Sequence, residues 1–430
     1  MSSRFVALRP LRHRDFALLW WASAVSNVGT WEQTVAVGAL VASRTGRASW
    51  AALVAAAAFL PIGVLAPVGG ALADRLDRRF WLALSNVAQG LLAVALAVLS
   101  ATGHASALAV TGVSFLTGCV TAVAFPFQMA MIPDLVPKEE LLAASSLGSA
   151  QFNLGRVLGP ALAGVVIAAT SYTWAFVVNA VSFGTVIAAL VVMRVPPQVQ
   201  ADGAERLWRG IKSGARVAVA EPGCRVAIGL ITVVALLASP FIALIPAKAV
   251  LLASSPREVA SVTSTLTTAQ GVGAVVGALL LAPLAARLGR RRALLLDVVL
   301  VCAALGLYGY APGVVLASVA LGLVGLAYIG VLSGLSTVVQ LRAPAAYRAR
   351  VLSIYFVALG VVYPVGAVIQ GAAADRFTLA RTTAGAAAVL VALVVALRVV
   401  RPRALEELDG DEPAEIVPAE PVPAEPIPAT

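Results

Sequence analysis

Apolar stretches of twenty or more residues recur along this 430-residue chain, separated by short polar turns. A helix that crosses a bilayer needs about 20 mainly apolar residues at 1.5 Å of rise each. The pattern predicts twelve: 16–43, 50–73, 80–100, 107–131, 142–169 and 173–193, then 226–252, 259–285, 293–310, 314–341, 351–373 and 379–400. Backbone polar groups in lipid must be bonded within the segment, so runs this long are helices. The expected fold class is an all-α membrane protein of twelve transmembrane helices in two six-helix bundles. Its parts are an N-terminal bundle (1–193), a cytoplasmic linker (194–225), a C-terminal bundle (226–400) and a tail (401–430).

In the linker, Pro196 and Pro197 end the sixth span. Leu207, Trp208, Ile211 and Val217 then alternate with Arg206, Arg209, Lys212 and Arg216, the pattern of a helix lying at the membrane surface. From Ala404 onward the tail holds eight acids, no Lys or Arg, and a near-periodic Pro-Ala-Glu sequence. Such a segment cannot bury a core and is expected to be disordered.

Composition agrees with a membrane body. The chain is 60% hydrophobic and 12% charged, and its mean hydropathy of +0.93 lies outside the soluble range. Of 31 Lys and Arg, 24 fall in the even set of loops and termini, six (Arg44, Arg47, Lys248, Arg257, Arg376, Arg381) in the odd set, and Arg156 inside span five. Basic loops stay inside, so both termini are expected in the cytoplasm. The +10 net charge is then a topology signal directed at the bilayer, not at nucleic acid. The first span follows a basic start but is too long for a signal-peptide core, and eleven more follow it.

Enzyme chemistry finds no foothold. Cys119, Cys224 and Cys302 are isolated, and His13 and His104 are far apart, so no metal cluster is expected. No phosphate loop and no nucleophile–base set is visible. No cofactor is expected.

Two ionisable residues lie deep. Glu32 is about 24 Å into span one and Arg156 about 21 Å into span five, at 1.5 Å per residue from the same side. Intramembrane charges face cavities or each other, so a Glu32–Arg156 ion pair is expected, with Glu32 as a candidate proton carrier.

The turn after span two reads GGALADRLDRR, and six spans later LAPLAARLGRRR follows span eight. With twelve spans and a six-plus-six division, Gly70, Asp74, Arg75, Asp77, Arg78 and Arg79 resemble the loop motif of the major facilitator superfamily, with Asp77 in place of the family Gly. The second copy keeps Arg287, Gly289, Arg290 and Arg291, with Ala286 at the Asp position. SNVGTWEQTVA, PDLVPKEELLAASSL and VQLRAPAAYRARVLSIY are similar to an exporter branch that includes enterobactin-type siderophore exporters and macrolide efflux proteins. GRVLGPALAG, with Gly155, Gly159, Pro160 and Gly164, resembles the superfamily's antiporter motif, with Ala163 in place of a Gly.

The resemblance implies the major facilitator fold and a secondary transporter of the plasma membrane. It would drive efflux of a small amphiphilic or hydrophobic compound (drug, siderophore or secondary metabolite) by proton antiport, as a monomer. Spans one, four, seven and ten would line the cavity, which nominates Trp31, Gln33, Phe127, Gln128, Phe241 and Tyr328, with Gln151 and Asn153 beside them. Asp74, placed near the N-terminus of span eleven, would latch the cytoplasmic side through the helix dipole. Two other readings stand: an importer or lysolipid translocator on the same scaffold, and a membrane sensor or scaffold acting through its acidic tail.

Overall fold

The structure, a computed structural model, describes residues 3–73, 75–194 and 207–410. A 3-10 helix over Ser3–Arg12 precedes α1 (Arg14–Thr45), α2 (Ala48–Ala73), α3 (Arg78–Ala101), α4 (Ala107–Leu135), α5 (Leu141–Ala169) and α6 (Tyr172–Val192). A connecting helix, α7 (Leu207–Ala220), leads to α8 (Pro222–Leu237), α9 (Phe241–Leu252), α10 (Glu258–Leu288), α11 (Arg290–Tyr310), α12 (Val314–Arg342), α13 (Arg348–Phe377), α14 (Leu379–Val400) and the short α15 (Pro402–Glu406).

Among the described residues, eleven spans are long and apolar enough to cross a membrane, α8 and α9 counting together as one. The twelfth, α1, matches the longest of them at 32 residues but is more polar, carrying Ser23, Ser26, Asn27, Thr30, Glu32, Gln33 and Thr34. It packs against α2, α5, α6, α9 and α10, so much of its surface meets protein rather than lipid and need not be apolar.

Successive spans reverse direction, and side-chain contacts tie their ends into two faces. Arg78–Asp134, Arg79 to the Val191 carbonyl and Arg342–Glu221 mark the face that also carries both described chain ends, the terminal face. Arg44 to the Ala105 carbonyl, Thr173–Ser100 and Arg47–Asp375 mark the far face.

The halves are built alike. α2 packs on α4 as α10 packs on α12, α3 on α6 as α11 on α14, and α1 on α5 as α8 on α13. Across the halves, α2 meets α13 and α5 meets α10, the same pair exchanged by the internal two-fold. Close approach at the α10–α12 seam requires glycine, since a Cβ on Gly273 or Gly325 would collide with the facing carbonyl of Gly322 or Gln270.

Several expectations change. The seventh span is not continuous: it breaks between Leu237 and Phe241, at Ser239 and Pro240, where proline cannot donate to the helix ladder. Lys248, expected in a loop, is 5% exposed on α9, and its Nζ donates to the carbonyls of Gly309 and Ala311 at the end of α11. A cation at a helix C-terminus is well placed. The tail expected from 401 begins instead as α15, and Leu405 and Leu408 are fully buried; residues 411–430 lie outside the described residues. The linker helix is observed as α7, packed on α13, and Pro222–Arg225 already belong to α8. Residues 195–206 also lie outside.

Candidate functional site

The centre of the molecule is the seam where α1, α5 and α10 converge. The small residues of GRVLGPALAG make that convergence possible. A Cβ on Gly155 would stand 2.8 Å from Asn27 Nδ2, and one on Gly159 would stand 2.7 Å from the Val28 carbonyl oxygen and 2.5 Å from Trp31 Cβ. These two positions seat α1 on α5. Gly164 faces Ser264 of α10 across the halves, and Pro160 is buried on α5. Asn27 Nδ2 donates to the Gln151 carbonyl at 3.0 Å.

Glu32 occupies this seam with none of its side chain exposed, and both carboxylate oxygens lack a hydrogen-bond partner. The expected pair with Arg156 does not form: among the described residues neither joins an ion pair. The two share a depth, but sequence depth leaves the rotation of each helix open. Arg156 is instead half-buried on α5, its backbone carbonyl facing Gly271 of α10. On α10, Ser264 Oγ, Thr268 Oγ1 and Gln270 Nε2 are likewise buried without partners. Buried polar groups are ordinarily bonded, so Glu32 and these α10 side chains stand as exceptions to that rule.

The second element is the α8–α9 break. Gln370 Nε2 on α13 donates to the freed carbonyls of Leu236 and Leu237 at 3.0 and 2.9 Å. Ser239 Oγ and the Tyr328 hydroxyl are 2.7 Å apart, and the Phe241 and Tyr328 rings meet edge to face at 5.6 Å. Broken helices near the midplane are how transporters present backbone polar groups to a ligand. The break was legible as Ser239-Pro240, but the apolar run around it conceals it.

The other cavity candidates divide. Trp31 is half-buried and packs edge to face on Phe152 at 5.6 Å, while Gln128 and Asn153 are half-buried too. Gln151 is buried in the α1–α5 contact. Gln33 does not face a cavity: its Oε1 accepts from Asn179 Nδ2 at 2.8 Å, tying α1 to α6. Phe127 is fully buried in the N-terminal core, stacked on Trp81 at 6.4 Å. Its ring fills space between α3 and α4, which is why an aromatic in a span is a poor marker of a cavity.

The halves join from the far face down to mid-depth. Asp375, at the end of α13, caps the start of α2: Oδ1 accepts from Ala48 N at 2.7 Å, and Oδ2 takes Arg47 Nε at 3.2 Å and the Ser49 hydroxyl. A carboxylate on the orphan N–H groups of a helix start is favoured by both bonding and dipole. Below it Gly371 touches Ala48, Ser49 and Ala52, Gly63 touches Gly360, and Gly38 touches Pro246. At the terminal end of α2, a Cβ on Gly70 would meet nothing within 4 Å.

In the loop motif after α2, Asp77, Arg78 and Arg79 bond within their own half. Asp77 caps α3 by accepting from Phe80 N at 2.7 Å. Arg78 pairs with Asp134 and donates to the Ala130 carbonyl, and Arg79 donates to the Val191 carbonyl. Arg75 has interactions of its own, and Asp74 lies outside the described residues. The tight glycine here is Gly69, against the Ala122 carbonyl, not Gly70. The second copy turns at Gly289 (φ 79°). Its Arg290 and Arg291 hold the C-terminal segment, through the Gly410 carbonyl and through Asp409. Arg287 is exposed in the last turn of α10.

Asp375 was missed by sequence reasoning, yet a signal existed. Gly371-Ala-Ala-Ala-Asp375-Arg376 repeats the spacing of Gly70-Ala-Leu-Ala-Asp74-Arg75. A carboxylate-on-helix-start contact of the kind expected at Asp74 is seen at the opposite face, with α13 giving the acid and α2 receiving it.

Comparison with known proteins agrees with this architecture. Residues 5–425 match the family MFS_3, described as transmembrane secretion effectors. The chain is 28% identical over 402 residues to the multidrug efflux pump Tap of Mycolicibacterium fortuitum, covering 91% of this chain and 96% of that protein. It is 28% identical over 293 residues to the enterobactin exporter EntS of Escherichia coli O127:H6, covering 66% and 67%. In fold it is similar to a bacterial homologue of the lysosomal transporter Spinster in an inward-facing, unoccupied conformation (TM-score 0.72, 14% identity, 94% and 99% covered). It is also similar to the nucleoside transporter NupG (TM-score 0.69, 15% identity, 89% and 98% covered).

Proposed function

As this chain belongs to the MFS_3 family of transmembrane secretion effectors, it is a multi-pass membrane transporter of the major facilitator superfamily, and we propose that it exports a small amphiphilic or hydrophobic compound by proton-driven alternating access. The observation that carries the proposal is Glu32: a carboxyl group wholly enclosed at the contact between the halves, with no fixed partner. Ionisable groups inside a membrane are costly and are kept where they act.

The bias of basic residues supports a cytoplasmic terminal face, and in that orientation the halves meet on the outer side. Its substrate groups are Arg156, Tyr328, Phe241, Gln370 and Trp31, an aromatic and mostly apolar set with a few polar anchors. Export begins with substrate entering from the cytoplasm. Asp375 then releases α2, the far face opens, and the loop motif with Asp74 closes the cytoplasmic face. Glu32 loads a proton while exposed outside and gives it up inside, so each return of the empty carrier moves a proton inward. Tap and EntS, both exporters by name, support the direction.

The test uses inverted membrane vesicles, whose lumen corresponds to the cell exterior. An acid lumen should drive an amphiphilic fluorescent dye into vesicles holding the protein, and Glu32→Gln should abolish the dependence on the gradient. Full gradient-driven uptake by Glu32→Gln refutes the role of Glu32. Dye leaving rather than entering refutes export.

A further inference from the structure

A groove of about 810 Å³ opens on the outer surface of the C-terminal half, between α8 and α14, and α15 closes its terminal end. Its walls are Val226, Leu230 and Val233 on one side and Leu393 and Leu397 on the other. Its rim at the terminal face carries Arg225, Arg401 and Arg403, all exposed. Arg225 donates to the Val219 carbonyl at 2.9 Å, and among the described residues none of the three joins an ion pair. The acid at the rim, Glu407, is already bonded by Arg342. This groove is separate from the seam that holds Glu32.

An apolar cleft on the lipid-facing side of a spanning bundle is filled by acyl chains. Three exposed guanidiniums at headgroup level, none in an ion pair among the described residues, select what those chains are attached to, because Arg binds phosphate oxygens bidentately. Basic pockets between spans at the cytoplasmic side are suited to anionic headgroups. We propose that this groove is a binding site for an anionic phospholipid, its chains between α8 and α14 and its phosphate on Arg225, Arg401 and Arg403. The fold builds the site deliberately. α15 is positioned by the buried Leu405 and Leu408 and by the Arg342–Glu407 contact, which brings Arg401 and Arg403 beside Arg225, far away in sequence.

The experiment is competition between phosphatidylglycerol and phosphatidylcholine for the full chain in detergent, read by native mass spectrometry. Phosphatidylglycerol should be preferred, and the triple variant Arg225→Gln/Arg401→Gln/Arg403→Gln should lose that preference, at about fivefold for each arginine. Leu230→Trp, which fills the groove, should reduce binding of both lipids. Thermal melting of each variant reports that it is folded. Glycerol phosphate, offered as a free anion, should not displace the lipid. Equal binding of the two lipids, an undiminished preference in the triple variant, or displacement by glycerol phosphate overturns the proposal. So does lipid binding that appears only after residues 411–430 are deleted, since the acidic tail would then be the occupant.

Discussion

Glu32 and Glu221 are both glutamates with no exposed side-chain surface, and their surroundings are opposite. Glu221 is the N-cap of α8. It accepts from Cys224 N–H and from Arg342 Nε at 2.8 Å, and Arg342 continues to Glu407. Glu32 has no such contact. The local reason is position in the helix. The first N–H groups of a helix have no partner inside it and accept a carboxylate, whereas in mid-helix every N–H is already bonded and help must come from a neighbouring helix. Burial alone therefore does not distinguish a structural charge; the presence or absence of partners does, and on that ground the proposed role falls to Glu32.

The largest test of this contrast is Arg342→Ala. It strands Glu221 as an uncompensated buried charge and frees the C-terminal segment, at a cost of about 3–5 kcal/mol. Denaturant unfolding in detergent measures it, and a loss below about 1 kcal/mol, the scale of a surface pair, would erase the distinction. Next is Gly159→Ala, which pushes a methyl into Val28 and Trp31 and moves α1, with Glu32, off α5; about 1–3 kcal/mol of overpacking is expected. Gly70→Ala is its control and should be neutral or slightly stabilising, since helix propensity favours Ala and nothing obstructs the methyl.

Asp375→Asn weakens a charged cap at the far face and should shift the conformational balance by about 1–2 kcal/mol toward outside-open. Maleimide labelling of a cysteine introduced at Ala52 reads the shift: faster labelling is expected, and an unchanged rate would remove Asp375 as a latch. The smallest stability effect belongs to Glu32→Gln. No partner is lost, so unfolding should change by less than about 0.5 kcal/mol. A loss above about 2 kcal/mol would make Glu32 as structural as Glu221.

Much of this was readable along the chain, and the exceptions share a cause. The helix α7 and the close-packing spacing of Gly155 and Gly159 are local patterns, and both are found where the sequence puts them. Glu32 and Arg156 were rightly singled out as deep charges, but their pairing required the rotational phase of two helices. Gln33 and Phe127 were nominated by residue type, and their partners Asn179 and Trp81 lie on helices whose facing surfaces no sequence window contains. Asp375 escaped notice because a charge near a span end reads as a topology marker; its repeat of the Asp74 spacing matters only once α2 and α13 are side by side. The buried Leu405 and Leu408 were overlooked because the acidic, Pro-rich composition of the tail masked two apolar anchors at its start.

The sequence by itself determined the number of crossings, the division into two halves and where the arginines collect, because lipid acts as a solvent on each segment independently and hydropathy is additive along the chain. Only the tertiary structure decided which buried carboxylate is neutralised and which is left open, which face is closed, and where three distant arginines meet. Those depend on how helices rotate and pack against partners a hundred or more residues away, and a side chain's cost or use in the membrane is set by what packing places opposite it.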